Sequence, residues 1–314
     1  MSNLTPTATA AQCAADAQHA PALTAYPART TELGTLKIRR ALPIRERRVV
    51  GPWCFLDRYG PLSFTDAKPM DVAPHPHIGL QTVTWLTQGE IVHHDSLGSE
   101  ALVRPGQLSL MTAGRGISHS EETPRENSGQ LNGVQLWVAL PGEHRDMAPQ
   151  FGHHPSLPVM ETAGGIATVI LGALAGERSP GHALSPMVGA DLIVHKAQRL
   201  VLPLEKRAEH ALLVLEGDAE LDGQPLVPDV LYYLGMMRDE LPLASRTGAR
   251  LLLIGGEPFG ETILMWWNFV ARSSEEITAA RQDWEQHERF GDVHAYNGAR
   301  IPAPEFIGRP VRST

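Results

Sequence analysis

Residues 73–82 read APHPHIGLQT and set His75 and His77 two apart around Pro76. Residues 111–122 read MTAGRGISHSEE and set His119 and Glu121 two apart, just behind a glycine-bearing turn, Ala113 to Gly116. In a strand, residues i and i+2 share a face. Two such pairs on neighbouring strands would bring three imidazoles and one carboxylate to a single point. Three neutral nitrogens and one anionic oxygen suit a divalent first-row metal. With one glutamate against a dication, the centre keeps a charge of about +1 and can take dioxygen or an anionic substrate oxygen in an open position. No thiolate takes part, which sets aside an iron–sulfur cluster or a Cys-rich zinc site. A His-x-His in a proline-rich stretch is, alone, more often a surface turn. The second pair is what turns the reading toward a metal.

The strands that carry these pairs follow from the pattern around them. Proline is tolerated at the start or edge of a strand, so Pro76 fits a barrel mouth. If the strand continues, Gln81, Val83 and Trp85 share the parity of His75 and His77 and form an inward row, with Thr82 and Thr84 on the other side. His93 and His94 beside Asp95 read as a polar turn, the alternative being a residue that orients a ligand. Arg115, in the glycine turn, reads either as a barrel-mouth ion pair or as a contact to an anionic ligand. His153 and His154 read as solvated loop, His195 and His210 as ordinary barrel or loop residues, and Trp266 and Trp267 as core or interface aromatics.

From about residue 35 onward, short apolar or alternating runs such as QTVTWLT, VQLWVAL, ADLIVHKA and ARLLLIGG are separated by Gly, Pro and Asp. Many short strands at close spacing predict an all-β sandwich or barrel, not βαβ units. Residues 75–121 and 195–254 share a rhythm of strand, glycine turn and strand, which predicts two barrels of one kind. The boundary falls within residues 141–160, PGEHRDMAPQFGHHPSLP being of loop composition. The resulting division is a disordered tail over 1–30, a first barrel over 31–150, a second over 151–272, and a C-terminal helix and tail over 273–314. SSEEITAARQDWEQHERF, residues 273–290, is the clearest helix, with Ser274 as its cap and Glu275 and Glu276 in its first turn.

The 314 residues include 27 Lys+Arg and 35 Asp+Glu, a net charge of −8. That balance argues against direct nucleic-acid binding or attachment to anionic lipid. No apolar run reaches the ~18 residues of a membrane span. The two cysteines, Cys13 and Cys54, lack metal-ligand spacing and are not expected to pair, which fits a reducing compartment and a cytoplasmic location. There is no nucleophile elbow and no phosphate-cradling loop.

At this point the residues resemble a family. GPWCFLDRYGP (51–61), PHPHIGLQTVTWL (74–86), HHDSLG (93–98), RPGQLSLMTAGRGISHSE (104–121), QLWVALP (135–141) and GGEPFGETILMWWNFVARSSEEI (255–277) are together similar to pirins, a branch of the cupin superfamily. The resemblance covers about residues 35–290. It implies two cupin (jelly-roll) barrels in one chain, with one metal in the first, most often iron as Fe(2+), held by His75, His77, His119 and Glu121. Another divalent transition metal is the alternative. The second barrel has no matching His-x-His and is expected to be metal-free. Gln81, where other cupins place a glutamate ligand, is not used by pirins.

The resemblance implies two kinds of activity. One is a quercetin 2,3-dioxygenase-like enzyme acting on a flavonol-like aromatic substrate and dioxygen. Metal coordination acidifies the flavonol hydroxyl, and Glu121, the single anionic ligand, receives its proton as the catalytic base. The other is an iron- or redox-sensing regulator that works through protein partners.

Overall fold

The computed structural model describes residues 7–11, 20–33, 36–65 and 68–307. Cys13, and with it the expectation about cysteine pairing, lies outside them; the Cys54 thiol is buried.

Two jelly-roll barrels are built to one plan. In the first, a large sheet runs in the order Gln150–His154, Leu108–Thr112, Leu80–Gly89, Gln130–Ala139, Trp53–Ser63, Leu36–Leu42 and Arg29–Leu33. It faces a small sheet ordered Asp71–His77, Ile117–Glu122, Ile91–Asp95 and Glu100–Val103. In the second, the main path of the large sheet is Val159–Thr162, Gly165–Leu174, Met187–Val194, Ala249–Gly256, Glu209–Gly217, Val230–Gly235 and Pro21–Pro27. Its small sheet is Gln198–Pro203, Glu240–Ser245, Ala219–Leu221 and Gln224–Leu226.

The two large sheets pack against each other through Trp53, Trp85, Leu110 and Val134 on one side and Ile170, Leu213, Tyr233 and Leu252 on the other. The two tryptophans keep their N–H groups satisfied across that seam. Trp53 Nε1 donates to the carbonyls of Val188 (3.0 Å) and Gly255 (3.1 Å), and Trp85 Nε1 donates to Asp191 Oδ2 at 3.0 Å. Arg250 pairs with the same carboxylate.

The two barrel interiors differ in what fills them. In the small sheet of the first, His75 stands opposite His119 and His77 opposite Ile117. In the second, Leu200 stands opposite Leu243 and Leu202 opposite Leu241. All four leucines are buried in one apolar cluster. Each fully buried leucine contributes roughly 1.5–3 kcal/mol. The second barrel is therefore a packed core where the first is a polar one.

Three sequence expectations are corrected here. Residues 1–30 are not all tail: Thr9–Ala11 pairs with Ile263–Trp266, and Pro21–Pro27 adds an edge strand beside Val230–Gly235. The prolines at both ends of that segment are compatible with an edge position. The strand through His75 and His77 does not continue. Gly79 at φ +68° breaks it, and Leu80–Gly89 joins the other sheet. Val83 and Trp85 thus face the seam between barrels, and Gln81 donates to Thr112 Oγ1 (2.9 Å) and to the carbonyl of His182 (3.0 Å). Finally, the helix spans Ser274–Glu285 and its cap is Ser273, whose side chain accepts from the Glu276 N–H at 3.2 Å. It stops short of residue 290 because His287 and Arg289 are left-handed.

The helix buries Ile277, Ala280 and Trp284 against Trp266, Trp267 and Phe269, which lie at the core as expected. The segment after it is extended and docked. Trp284 Nε1 donates to the carbonyl of Ile301 (2.8 Å), and the Ile301 N–H donates to that of Pro74 at 2.8 Å, one residue from His75.

Candidate metal centre

Alternation along Asp71–His77 puts His75 and His77 on one face, and antiparallel pairing with Ile117–Glu122 sets His119 beside them. One ring nitrogen from each of the three lies within 4.8 Å of the other two, and all three residues are buried. The structure thus brings His75, His77 and His119 together. Glu121 is outside this group. A register shift falls between His119 and Glu121, and Glu121 Oε1 lies 3.0 Å from Thr84 Oγ1. Glu121 nevertheless lines the same cavity as His75.

The hydrogen bonds around the rings assign their tautomers. Asp95 accepts the backbone N–H groups of Leu97 and Ser99 at Oδ1, and its Oδ2 lies 3.2 Å from His93 Nε2. Burial would raise the Asp95 pKa, but the His93 and Ser99 hydrogen bonds outweigh it and hold the carboxyl below its usual value. An ionised carboxylate only accepts, so His93 carries a hydrogen on Nε2, and the neutral form of its ring then offers Nδ1 as an acceptor. His119 Nδ1, 3.3 Å away, donates to it and leaves His119 Nε2 bare. His77 Nδ1 donates to the carbonyl of Asn268 at 3.0 Å, which bares His77 Nε2. His75 Nδ1 donates to the carbonyl of Ala73 at 2.9 Å, which bares His75 Nε2.

Two of these bare nitrogens, Nε2 of His77 and of His119, face each other at 3.1 Å. Opposed lone pairs repel unless a proton or a cation lies between them. A proton is disfavoured: burial first, then the neighbouring imidazoles, pushes His77 and His119 well below the ordinary histidine range, and burial takes His75 down to about 3. A metal with bonds near 2.1 Å meeting at right angles separates two nitrogens by about 3 Å. The donor set, its tautomers and its spacing all fit a divalent cation.

The wall of the site is aromatic. Phe151 stacks on His93 with centroids 4.2 Å apart, Trp137 meets His77 edge-on at 5.2 Å, and Phe55 stacks on Trp137 at 4.1 Å. The partly open cavity beside His75 is about 40 Å³. Of its two carboxylates, Asp57 is committed to Arg40 through two hydrogen bonds of 2.7 and 2.6 Å. Glu121 is the one left to a ligand, and burial raises its pKa.

Other residues weighed in the sequence fall as follows. His93 belongs to a buried strand, not a turn, and has the orienting place. His94, on the opposite face, pairs with Glu100 and Glu122. Arg115 is exposed and lines a separate pocket with Gly79, Arg145 and Glu276. His153 and His154 sit in an edge strand, not a loop, with His153 Nε2 3.1 Å from Gln107 Oε1. His210 is a buried barrel residue. Thr84, set by parity on the face away from the histidine row, instead meets Glu121 because the chain changes sheet at Gly79. Asn268 and Tyr59 carry no local sequence signal and arrive through long-range packing.

A two-barrel cupin with a buried histidine cluster in its first barrel defines a class of metal-binding cupin proteins. The comparisons narrow it. Residues 35–138 match the pirin family model and residues 189–291 the pirin C-terminal cupin domain. The chain belongs to the pirin family. It is 48% identical, over 91% of each chain, to a Pseudomonas aeruginosa protein named "putative quercetin 2,3-dioxygenase". It is 38% identical to a pirin-like protein of Caulobacter vibrioides, over 89% of this chain and 98% of that one. A crystal structure of quercetin 2,3-dioxygenase from Acinetobacter baumannii superposes with a TM-score of 0.87 at 44% identity, covering 93% of this chain and 97% of that one. No helix among the described residues is long and apolar enough to cross a membrane.

Proposed function

We propose that this chain is an iron-dependent dioxygenase that opens the oxygenated ring of a flavonol such as quercetin, with His75, His77, His119 and Glu121 as metal ligands. The observation that carries the reading is the pair of bare Nε2 atoms facing each other at 3.1 Å, a geometry that asks for a cation. The names of the relatives at 48% and 44% identity support the chemistry.

The metal, when bound, acidifies a substrate hydroxyl and makes the ring electron-rich toward dioxygen. The protein does the rest. His75, His77 and His119 present neutral nitrogens with fixed orientation. Glu121, held at Oε1 by Thr84, accepts the hydroxyl proton as the catalytic base. The buried rings of Phe55 and Trp137 in the cavity lining keep bulk water from the reacting oxygen. The test is dioxygen uptake by protein of known iron content, with and without quercetin, beside His119→Ala. Uptake that tracks quercetin loss and disappears in the variant supports the enzyme. No uptake by fully iron-loaded protein removes quercetin as substrate.

The cavity's size favours a second reading. At about 40 Å³ it encloses only the edge of a flavonol, which would suit an iron- or redox-sensing regulator acting through a protein partner. Capture of a partner that depends on iron oxidation state, in protein that turns over no flavonol, would favour it.

A further inference from the structure

Two polar side chains line the metal cavity and have no hydrogen-bond partner among the described residues. Asn268 is 0% exposed, and neither its Nδ2 nor its Oδ1 is bonded. Tyr59 is 2% exposed, and its hydroxyl is likewise unbonded. Both line the cavity together with His75 and Glu121. Buried amides and phenols are almost always satisfied, so two that are not, in one small cavity, mark a place where a ligand supplies the missing bonds.

Asn268 is also held firmly in place. It sits at the tip of the hairpin joining Ile263–Trp266 to Phe269–Ala271, after Trp267 at φ +51°. The hairpin is clamped to the metal strand: the Val270 N–H donates to the carbonyl of Ile78 at 3.1 Å. The approach at Gly79 is so close that a Cβ there would lie 2.0 Å from Val270 O. The backbone carbonyl of Asn268 orients His77, so its side-chain amide is fixed relative to that ligand.

We propose that Asn268, assisted by Tyr59, recognises the substrate's oxygen-bearing edge, a carbonyl beside a hydroxyl. The amide presents a donor and an acceptor side by side: Nδ2 donates to the carbonyl, and Oδ1 accepts from the hydroxyl until Glu121 takes its proton. Tyr59 donates from the phenol, which burial keeps protonated by raising its pKa well above the ordinary value. A flavone without the 3-hydroxyl satisfies only the donor half and leaves Oδ1 buried and unpaired, which is how a polar site rejects a near-isostere. The apolar Ile38, Met70 and Val72 in the same lining flank that edge. This rests on the reading that the cavity holds a metal and takes a flavonol.

The experiment uses full-length metal-loaded protein without dioxygen, so that binding is measured without turnover. Quercetin and its 3-deoxy analogue luteolin are titrated against wild type, Asn268→Leu and Tyr59→Phe by tryptophan quenching, with metal content recorded. Wild type is expected to prefer quercetin. Asn268→Leu is expected to lose about tenfold or more in quercetin affinity and most of the preference, while keeping its metal because the backbone carbonyl at 268 remains. Tyr59→Phe, the milder change, is expected to weaken quercetin without altering metal content, and it serves if Asn268→Leu does not fold. A preference for quercetin that survives both substitutions overturns the assignment alone. Metal-loaded wild type that binds neither compound overturns the flavonol reading and this assignment with it.

Discussion

His93 Nδ1 lies 3.3 Å from His119 Nδ1, with Asp95 Oδ2 at 3.2 Å from the far nitrogen of His93. A carboxylate thus fixes the tautomer of one histidine, which fixes that of a second, which turns its bare nitrogen to the cluster. Loss of such an outer partner typically costs 10–100-fold in metal affinity. Asp95→Asn and His93→Phe are therefore expected to weaken metal binding by about that factor, read by competition with a chromophoric chelator. Wild-type affinity in both would show that His119 needs no such support.

The ligand set makes a sharper contrast. Alanine at His75, His77, His119 or Glu121 should each lower bound metal, with the histidines costing most. Gln81→Ala should leave metal content unchanged, because Gln81 bonds Thr112 and His182 on the other side of the sheet. Metal analysis after dialysis against a weak chelator distinguishes these outcomes. A loss at Gln81 equal to that at His119 would refute the assignment.

Gly79→Ala tests the clamp between the hairpin and the metal strand. Its φ of +68° is poorly tolerated by alanine, and the new Cβ would collide with Val270 O. The variant is expected to lose about 1–3 kcal/mol of stability and to bind metal more weakly, since the hairpin carries the Asn268 carbonyl that orients His77. Urea unfolding with and without metal measures both. An unchanged midpoint would mean that the contact relaxes freely.

Acid should destabilise the metal-free protein. Burial holds His75 at about 3 and His210 at about 4, with His77 and His119 also well below their ordinary value. Unfolded, each titrates near 6.5. Between those values the unfolded chain binds protons that the native one refuses, so stability rises with pH in that window and falls as pH drops below about 6.5. The slope is up to about 1.4 kcal/mol per pH unit for each such group. Urea midpoints at pH 7 and pH 5 check this, and a midpoint that does not fall at pH 5 would refute it.

How much of this was legible follows from the range of the interactions involved. His75, His77 and His119 are readable because alternation is local: two residues apart means the same face. The two-barrel plan is readable from repeated short strands and turns. The sequence leaves His93 open between a polar turn and a ligand-orienting place, because only the pairing with Ile117–Glu122 fixes which way its side chain faces. The row through Gln81 failed at one residue, Gly79, whose left-handed backbone sends the chain to the other sheet. Pro21–Pro27 was invisible as a strand because its partner, Val230–Gly235, lies some 200 residues on. Asn268 had no local signal at all, since its role exists only once the hairpin has docked.

That hairpin also orders events during synthesis. The strands bearing the three histidines are made well before the carbonyl that orients His77, which belongs to Asn268, about 150 residues after His119. The edge strand at Pro21–Pro27 likewise waits for Val230–Gly235. Because domains ordinarily fold as they emerge, N-terminal first, the first barrel here is an exception in its final step. It can collapse early, but it gains its fully oriented metal pocket only when the hairpin around Asn268 arrives, so a chain truncated before that hairpin is not left with a finished metal centre.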